Sequence, residues 1–350
     1  MFEHGVVVGK FAPLHRGHEH LIRTALARCK KVTVISYCKP EFPGCAAARR
    51  LHWLQQLFPT VNALVFADVD VQQWRRQGWK LALPDNAAPD IRQREFVAEL
   101  LWQRNLRDVD VVFSSETYGE GFAAYLQQFF TRQLQRRHAV EHVCVDAERA
   151  TVPVSATTIR ADVHAMRQWL SPPVYADFAL RVCLIGAESS GKSTLAQALA
   201  KQYETQWVPE FGRYWWLLKN GDLETADYLH ILHQQQQLED FAAGQCQRYL
   251  FCDTGPLVTL CYYQDQFGES QPQLLQAALQ PYHRLLLLKN DFDFVQDGSR
   301  RNADFSARQF AWYESFLQTH GIPHVVIGGT LAERLAQVSA VLSPAPAAGQ

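Results

Sequence analysis

Twice along its 350 residues the chain passes from a short apolar, β-branched run through a glycine-bearing loop into a stretch of helical spacing. Residues 4–9 lead into Gly9-Lys10-Phe11-Ala12-Pro13-Leu14-His15-Arg16-Gly17-His18, and residues 180–186 lead into Gly186-Ala187-Glu188-Ser189-Ser190-Gly191-Lys192-Ser193. Strand, tight loop and helix in immediate succession form the first half of a βαβ unit, so each occurrence calls for a parallel sheet covered by helices. The runs that follow agree. After the first loop, strands are expected at 31–37, 63–67 and 109–114, with helices at 17–29, 47–58 and 92–104. After the second, strands are expected at 249–253, 285–289 and 324–327. The fold class is therefore α/β, with a parallel sheet in each of two domains.

The join falls at Ser171-Pro172-Pro173-Val174-Tyr175, where adjacent prolines should interrupt a helix and force an extended connection. This divides the chain into domains 1–172 and 178–342, followed by an Ala- and Pro-rich tail, 343–350, expected to be disordered. A content of 47% hydrophobic and 20% charged residues suits two ordinary soluble cores. Lys and Arg number 34 against 35 acidic residues, so no net positive field points to nucleic acid or an anionic membrane. Small phosphorylated molecules are the partners expected, and nothing in the pattern fixes whether the chain forms a homo-oligomer. No apolar run of about 18 residues and no leader pattern occurs, which argues against membrane spanning and secretion. The eight cysteines never pair as CxxC, as expected of reduced thiols in a cytoplasmic protein. The four glutamines at 234–237 read as the solvated face of a helix.

His15 and His18 have a spacing compatible with metal ligation, but zinc needs further ligands and no Cys or His partner follows nearby. A phosphate cradle fits better. Gly9, Phe11 and Gly17 shape a turn at a helix N-terminus, where free N–H groups, Lys10 and the two imidazoles converge. Gly17 lacks a Cβ, which would let a ligand approach closely. Further on, Ser155-Ala156-Thr157-Thr158-Ile159-Arg160 opens another helix, offering hydroxyl, N–H and guanidinium donors from Ser155, Thr157 and Arg160.

The second loop satisfies GxxxxGK[ST] in its strand-to-helix context. In such a loop the N–H groups around Gly186, Ser189, Ser190, Gly191 and Thr194 wrap nucleotide phosphates, Lys192 meets the β and γ oxygens, and Ser193 holds Mg²⁺. Asp253 ends an apolar strand, where a carboxylate reaches the same metal directly or through water. Arg213 follows shortly after Glu210, and Arg300 and Arg301 close a polar stretch, Asp297-Gly298-Ser299, suited to a mobile lid.

The first loop resembles the GxFxPxHxGH run of the nucleotidyltransferase superfamily, and residues 154–160 resemble its ISxTxxR run. Together with Val112-Phe113-Ser114-Ser115-Glu116, Asp146-x-x-Arg149, Glu188-Ser189-Ser190-Gly191-Lys192-Ser193 and Glu210-Phe211-Gly212-Arg213, the chain from about Val6 to Ile327 resembles the bifunctional NadR family. The resemblance implies a Rossmann-like nucleotidyltransferase fold followed by a P-loop kinase fold. It also implies two ATP-dependent reactions: phosphorylation of nicotinamide riboside to NMN, then adenylyl transfer to NMN, giving NAD⁺ and pyrophosphate. Lys10, His15, His18 and Arg160 would stabilise the adenylyl transition state, with Mg²⁺ on the phosphates. In the kinase half the resemblance implies Lys192, Glu210 and Asp253 as catalytic groups; which carboxylate is the base stays open.

Two departures stand out. Some family members begin with a helix-turn-helix domain, whereas here the first strand starts within about five residues of Met1, so no operator binding is expected. Ala187 stands where the family's loop often has glycine, which is tolerable unless that position needs a positive φ. Trp74, Trp79, Asn86 and Trp102 in the first half, and Tyr214, Trp215 and Trp216 in the second, are candidates for stacking on a pyridinium ring, although core packing suits them as well. Two other functions compete: a kinase fused to a transferase for another phosphomonoester, and a nucleotide-sensing regulator with degenerate sites.

Overall fold

A computed structural model of the chain describes every residue except 117, 296–300 and 344–350. Arg300, the Asp297-Gly298-Ser299 stretch and the tail beyond Ser343 therefore lie outside the described residues. The chain divides into two compact units, Met1–Phe178 and Ala179–Gln350.

The first unit runs β1 (Phe2–Gly9), α1 (Arg16–Arg28), β2 (Cys29–Tyr37), α2 (Ala47–Leu57), β3 (Asn62–Phe66), α3 (Asp68–Arg76), α4 (Asp90–Gln103), β4 (Val111–Ser114), α5 (Gly119–Leu134), β5 (Glu141–Cys144), α6 (Ala156–Ala161) and α7 (Pro172–Tyr175). Its strands form one parallel sheet in the order β3-β2-β1-β4-β5. β1 is central, and Val6 and Val7 are fully buried because helices cover both faces. The chain leaves β1 toward β2 on one side and returns to β4 on the other, so the end of β1 is a topological switch point. That is where Gly9 stands.

The second unit repeats the plan with different connections: β6 (Leu180–Gly186), α8 (Lys192–Gln202), β7 (Trp207–Val208), α9 (Phe211–Leu218), α10 (Thr225–Ala243), β8 (Tyr249–Asp253), α11 (Pro256–Phe267), α12 (Pro272–Ala278), β9 (Arg284–Leu288), α13 (Ala303–Thr319), β10 (Val325–Ile327) and α14 (Leu331–Leu342). The order β10-β9-β6-β8-β7 puts β6 in the middle, again between neighbours on opposite sides. One apolar layer joins Ile185, Tyr228, Leu257 and Tyr313; the other joins Val182, Leu195, Phe251 and Val338.

Two expectations fail for readable reasons. The prolines at 172 and 173 do not force an extended connection: they occupy the first turn of α7, where a missing N–H costs nothing and φ is already set. Nor are the glutamines of 234–237 uniformly solvated. Gln235 lies one helical turn from Ile231 and Glu239, so it faces inward, 4% exposed, and its Oε1 accepts the N–H of Phe211.

Candidate active sites

In the first unit the turn after β1 is held by side chains. His15 is the N-cap of α1: its Nδ1 accepts the Gly17 N–H at 3.2 Å, while the His15 N–H donates to Nδ1 of His18 at 3.4 Å. The rings stack at 3.6 Å between centroids, and buried Phe11 meets His18 edge-on at 4.9 Å. Accepting at Nδ1 leaves Nε2 of each neutral ring to carry the hydrogen. A Cβ on Gly17 would lie 3.1 Å from the His15 ring, so the glycine leaves room for the cap.

Burial, reinforced by Arg149 and Arg160, lowers the His15 pKa to about 4. Burial, with the neighbouring His15, holds His18 well below its ordinary value. Both imidazoles are neutral at pH 7, so positive charge around this turn comes from Lys10, Arg149 and Arg160. Ser155 caps α6 by accepting the Thr158 N–H, and Arg160 donates to the Ala12 carbonyl at 2.5 Å and to Thr157 Oγ1 at 3.0 Å. The guanidinium also lies over the Phe42 ring at 4.1 Å, so it is fixed against the turn. Lys10 donates to the Asn86 carbonyl at 3.1 Å. All the predicted residues of this half, Gly9, Lys10, Phe11, His15, Gly17, His18, Ser155, Thr157 and Arg160, border one cavity of about 460 Å³.

The second unit builds its loop from backbone. Gly186, Ser189 and Gly191 take φ values of 156°, 66° and 81°, whereas Ala187 is absent from the positive-φ set, so the departure from glycine carries no strain. A Cβ on Gly186 would come within 2.9 Å of the Leu288 carbonyl on β9. Lys192 and Ser193 begin α8 half-buried, and Thr194 follows, exposed. Lys192 Nζ donates to the Gly186 and Ala187 carbonyls at 2.9 and 3.0 Å, curled over the loop a phosphate would fill. Burial lowers the Lys192 pKa and raises those of Glu210 and Asp253, whose charges oppose its shift. Asp253 is hydrogen-bonded to Ser193, yet its buried Oδ1 has no partner among the described residues. The Ser190 hydroxyl is likewise buried without one.

Glu210 stands at the start of α9, with Arg213 Nε 3.8 Å away. Both line a second cavity of about 290 Å³, together with Trp216, Tyr262 and Arg301. Glu210 lines that cavity, whereas Asp253 does not.

Both loops are braced from behind by arginines that motif reading passed over. Arg50 on α2 is fully buried and donates to Ser36 Oγ, the Lys10 carbonyl, the Cys45 carbonyl and Glu41. Arg334 on α14, 1% exposed, donates to the Ser190, Gly329 and Lys289 carbonyls. Each sits far from its loop in sequence and in no local pattern, so only the fold reveals it. Trp74, Trp79 and Trp102 pack against the core instead of lining the cavity, Asn86 lines it while tethering the Lys39–Pro40 turn, and Trp215 donates a hydrogen bond to Asp227. Among the described residues no group of three or more His, Cys, Asp or Glu side chains is spaced to hold a metal unaided. No helix there is long and apolar enough to cross a membrane.

Comparison with known proteins adds to this geometry. Residues 181–334 match the family described as AAA domain. The trifunctional NAD biosynthesis/regulator protein NadR of Escherichia coli is 28% identical over 316 residues, spanning 85% of this chain and 71% of that protein. A crystal structure of NadR protein in complex with NR superposes with a TM-score of 0.67 at 18% identity, covering 97% of this chain and 95% of the other. A second, in complex with NAD and AMP-PNP, gives 0.64 at 17% identity and covers 100% and 99%. The shared fold runs through both units.

Proposed function

Because the chain is a homologue of the NadR proteins, we propose that it is a bifunctional enzyme of NAD salvage. The second unit phosphorylates nicotinamide riboside with ATP to NMN, and the first transfers an adenylyl group from another ATP to NMN, giving NAD⁺ and pyrophosphate. One observation carries this reading: each unit presents a different nucleotide-phosphate loop at the switch point of its own sheet, and the second loop has an acceptor cavity of about 290 Å³ beside it.

In the first unit the phosphate of NMN attacks the α-phosphorus of ATP. Lys10, Arg149 and Arg160 supply the positive charge, while the neutral imidazoles of His15 and His18 act as hydrogen-bonding groups that hold the turn open toward the leaving pyrophosphate. In the second unit Glu210, facing the acceptor cavity, takes the hydroxyl proton of the riboside; its raised pKa brings its proton affinity nearer to neutrality. Lys192 turns from the loop carbonyls to the β and γ oxygens of ATP. Ser193 and Asp253 would hold Mg²⁺, and the unpartnered Oδ1 of Asp253 fits that role. Bound there with the nucleotide's own oxygens, the ion would neutralise charge on the transferring phosphoryl group. The free cysteines, all but Cys144 buried, suit a reducing cytoplasm.

The test is to incubate the purified chain with nicotinamide riboside, ATP and Mg²⁺ and to follow products by chromatography. NMN should appear first and NAD⁺ after it. If neither forms, the substrate assignment is wrong.

A further inference from the structure

The loop that binds phosphate in the second unit carries a carboxylate that phosphate binding does not call for. Glu188 is 7% exposed, and a negative group in this position opposes the charge of a bound nucleotide. Its two oxygens are nevertheless occupied by the protein. The Tyr262 hydroxyl donates to Oε1 at 2.9 Å, and the backbone N–H of Arg301 donates to Oε2 at 2.8 Å. The main chain of the same residue is pinned as well: its N–H donates to Gln309 Oε1 and its carbonyl accepts from Ser306 Oγ, both at 2.9 Å.

These partners come from two helices. Tyr262 lies on α11, Ser306 and Gln309 lie in the first turns of α13, and Arg301 directly precedes the Asn302 cap of α13. Glu188 lines the acceptor cavity together with Tyr262 and Arg301, with both of its carboxylate oxygens already bonded to the protein. The Arg301 guanidinium pairs with Asp265 and lies over the Phe305 ring at 4.4 Å, so the wall is anchored on its far side too.

We propose that Glu188 is a positioning residue of the kinase reaction, tying the wall of the acceptor cavity to the nucleotide loop so that riboside and ATP meet in one fixed register. It acts as a hydrogen-bond acceptor for the protein, not as a charge presented to substrate. The proposal rests on the kinase reading above. A glutamine keeps both contacts without the charge, one of them reversed: its amide oxygen accepts the Arg301 N–H, and its amide nitrogen donates to the Tyr262 phenol oxygen.

The experiment is steady-state phosphorylation of nicotinamide riboside by the full chain and its Glu188→Ala, Glu188→Gln and Tyr262→Phe variants, with NMN adenylylation as a control for folding. Glu188→Ala should lower kcat roughly 30-fold or more with the KM for ATP within about threefold, a loss of orientation and not of uniform binding. Glu188→Gln should stay within about fivefold of the parent, since both hydrogen bonds survive. Tyr262→Phe removes one tie without altering the loop; it should cost about 3- to 10-fold in kcat and add nothing in the double variant with Glu188→Ala. Equal damage from Glu188→Gln and Glu188→Ala would overturn the proposal, because the charge itself would then be acting. So would an unchanged kcat in Glu188→Ala, or an additive double variant. Failure of the unmodified protein to phosphorylate the riboside is a different outcome, and overturns the kinase reading beneath it.

Discussion

The turn after β1 and the turn after β6 hold equivalent places in their sheets, yet they are made of different materials. The first is closed by side chains: two neutral imidazoles cap α1 and guanidinium groups surround them. The second is shaped by main chain, with positive φ at Gly186, Ser189 and Gly191 and a lysine folded over its own loop carbonyls. Carboxylates Glu188, Glu210 and Asp253 surround Lys192 in the second, and on the proposed reading Glu210 is the one that accepts a hydroxyl proton. In the first, on the proposed reading, the attacking phosphate has no such proton to lose, and hydrogen-bonding groups with fixed charge would suffice. What the two share is a buried arginine behind the loop, Arg50 in one and Arg334 in the other. A loop that must present many donors to a ligand needs its carbonyl groups satisfied from the opposite side.

If this contrast is right, removing the key cation or ring of one loop should spare the other reaction. Lys192→Ala is expected to lower riboside phosphorylation by about 10³-fold while NMN adenylylation stays within about twofold; His18→Ala should do the reverse, with a loss of about 10²-fold. Paired assays of the two half-reactions check this.

The braces should show the next largest effect. Arg50→Met and Arg334→Met each leave buried carbonyls without donors, at about 1–3 kcal/mol apiece, and should weaken the half-reaction of their own unit about 10- to 50-fold while lowering the unfolding midpoint by several degrees. Equal damage to both reactions by either change would break the parallel.

The response to acid is of opposite sign in the two units. For His15 the unfolded ring takes up a proton below its ordinary 6.5 while the folded ring stays neutral to about 4, so stability is full above pH 6.5 and falls by about 1.4 kcal/mol per pH unit down to 4. For Glu210 burial raises the pKa, so the folded carboxyl keeps its proton after the unfolded one has lost it. Its contribution favours the fold at low pH and is lost as pH rises above the ordinary 4.5. Melting midpoints from pH 4 to 7 should show a shallower acid decline in His15→Gln and a relative gain toward neutral pH in Glu210→Gln.

Much of this was legible in the sequence where chemistry and backbone pattern coincide. The strands 180–186 and 249–253 appear at the expected bounds, because an apolar run covered on both faces has one way to be buried. Both loops could be read because their glycines, histidines and lysine sit at fixed offsets from a strand end. Long-range bracing was not legible: Arg50 is 40 residues from Lys10, and Arg334 is 144 residues from Ser190. The diproline was misread because proline's effect depends on its place in the turn, and Gln235 because composition hid its helical phase. The tryptophans of the first unit offered surface for stacking, but the fold spends them on its core.

On the proposed reading the two loops run consecutive steps, joined only by the phosphomonoester. The most direct measurement mixes the Lys192→Ala and His18→Ala proteins with nicotinamide riboside, ATP and Mg²⁺ and follows both products over time. Neither variant alone should convert the riboside to NAD⁺, whereas the mixture should accumulate NMN and then NAD⁺. A mixture that forms no NAD⁺, while each variant still runs its own half-reaction, would contradict the claim.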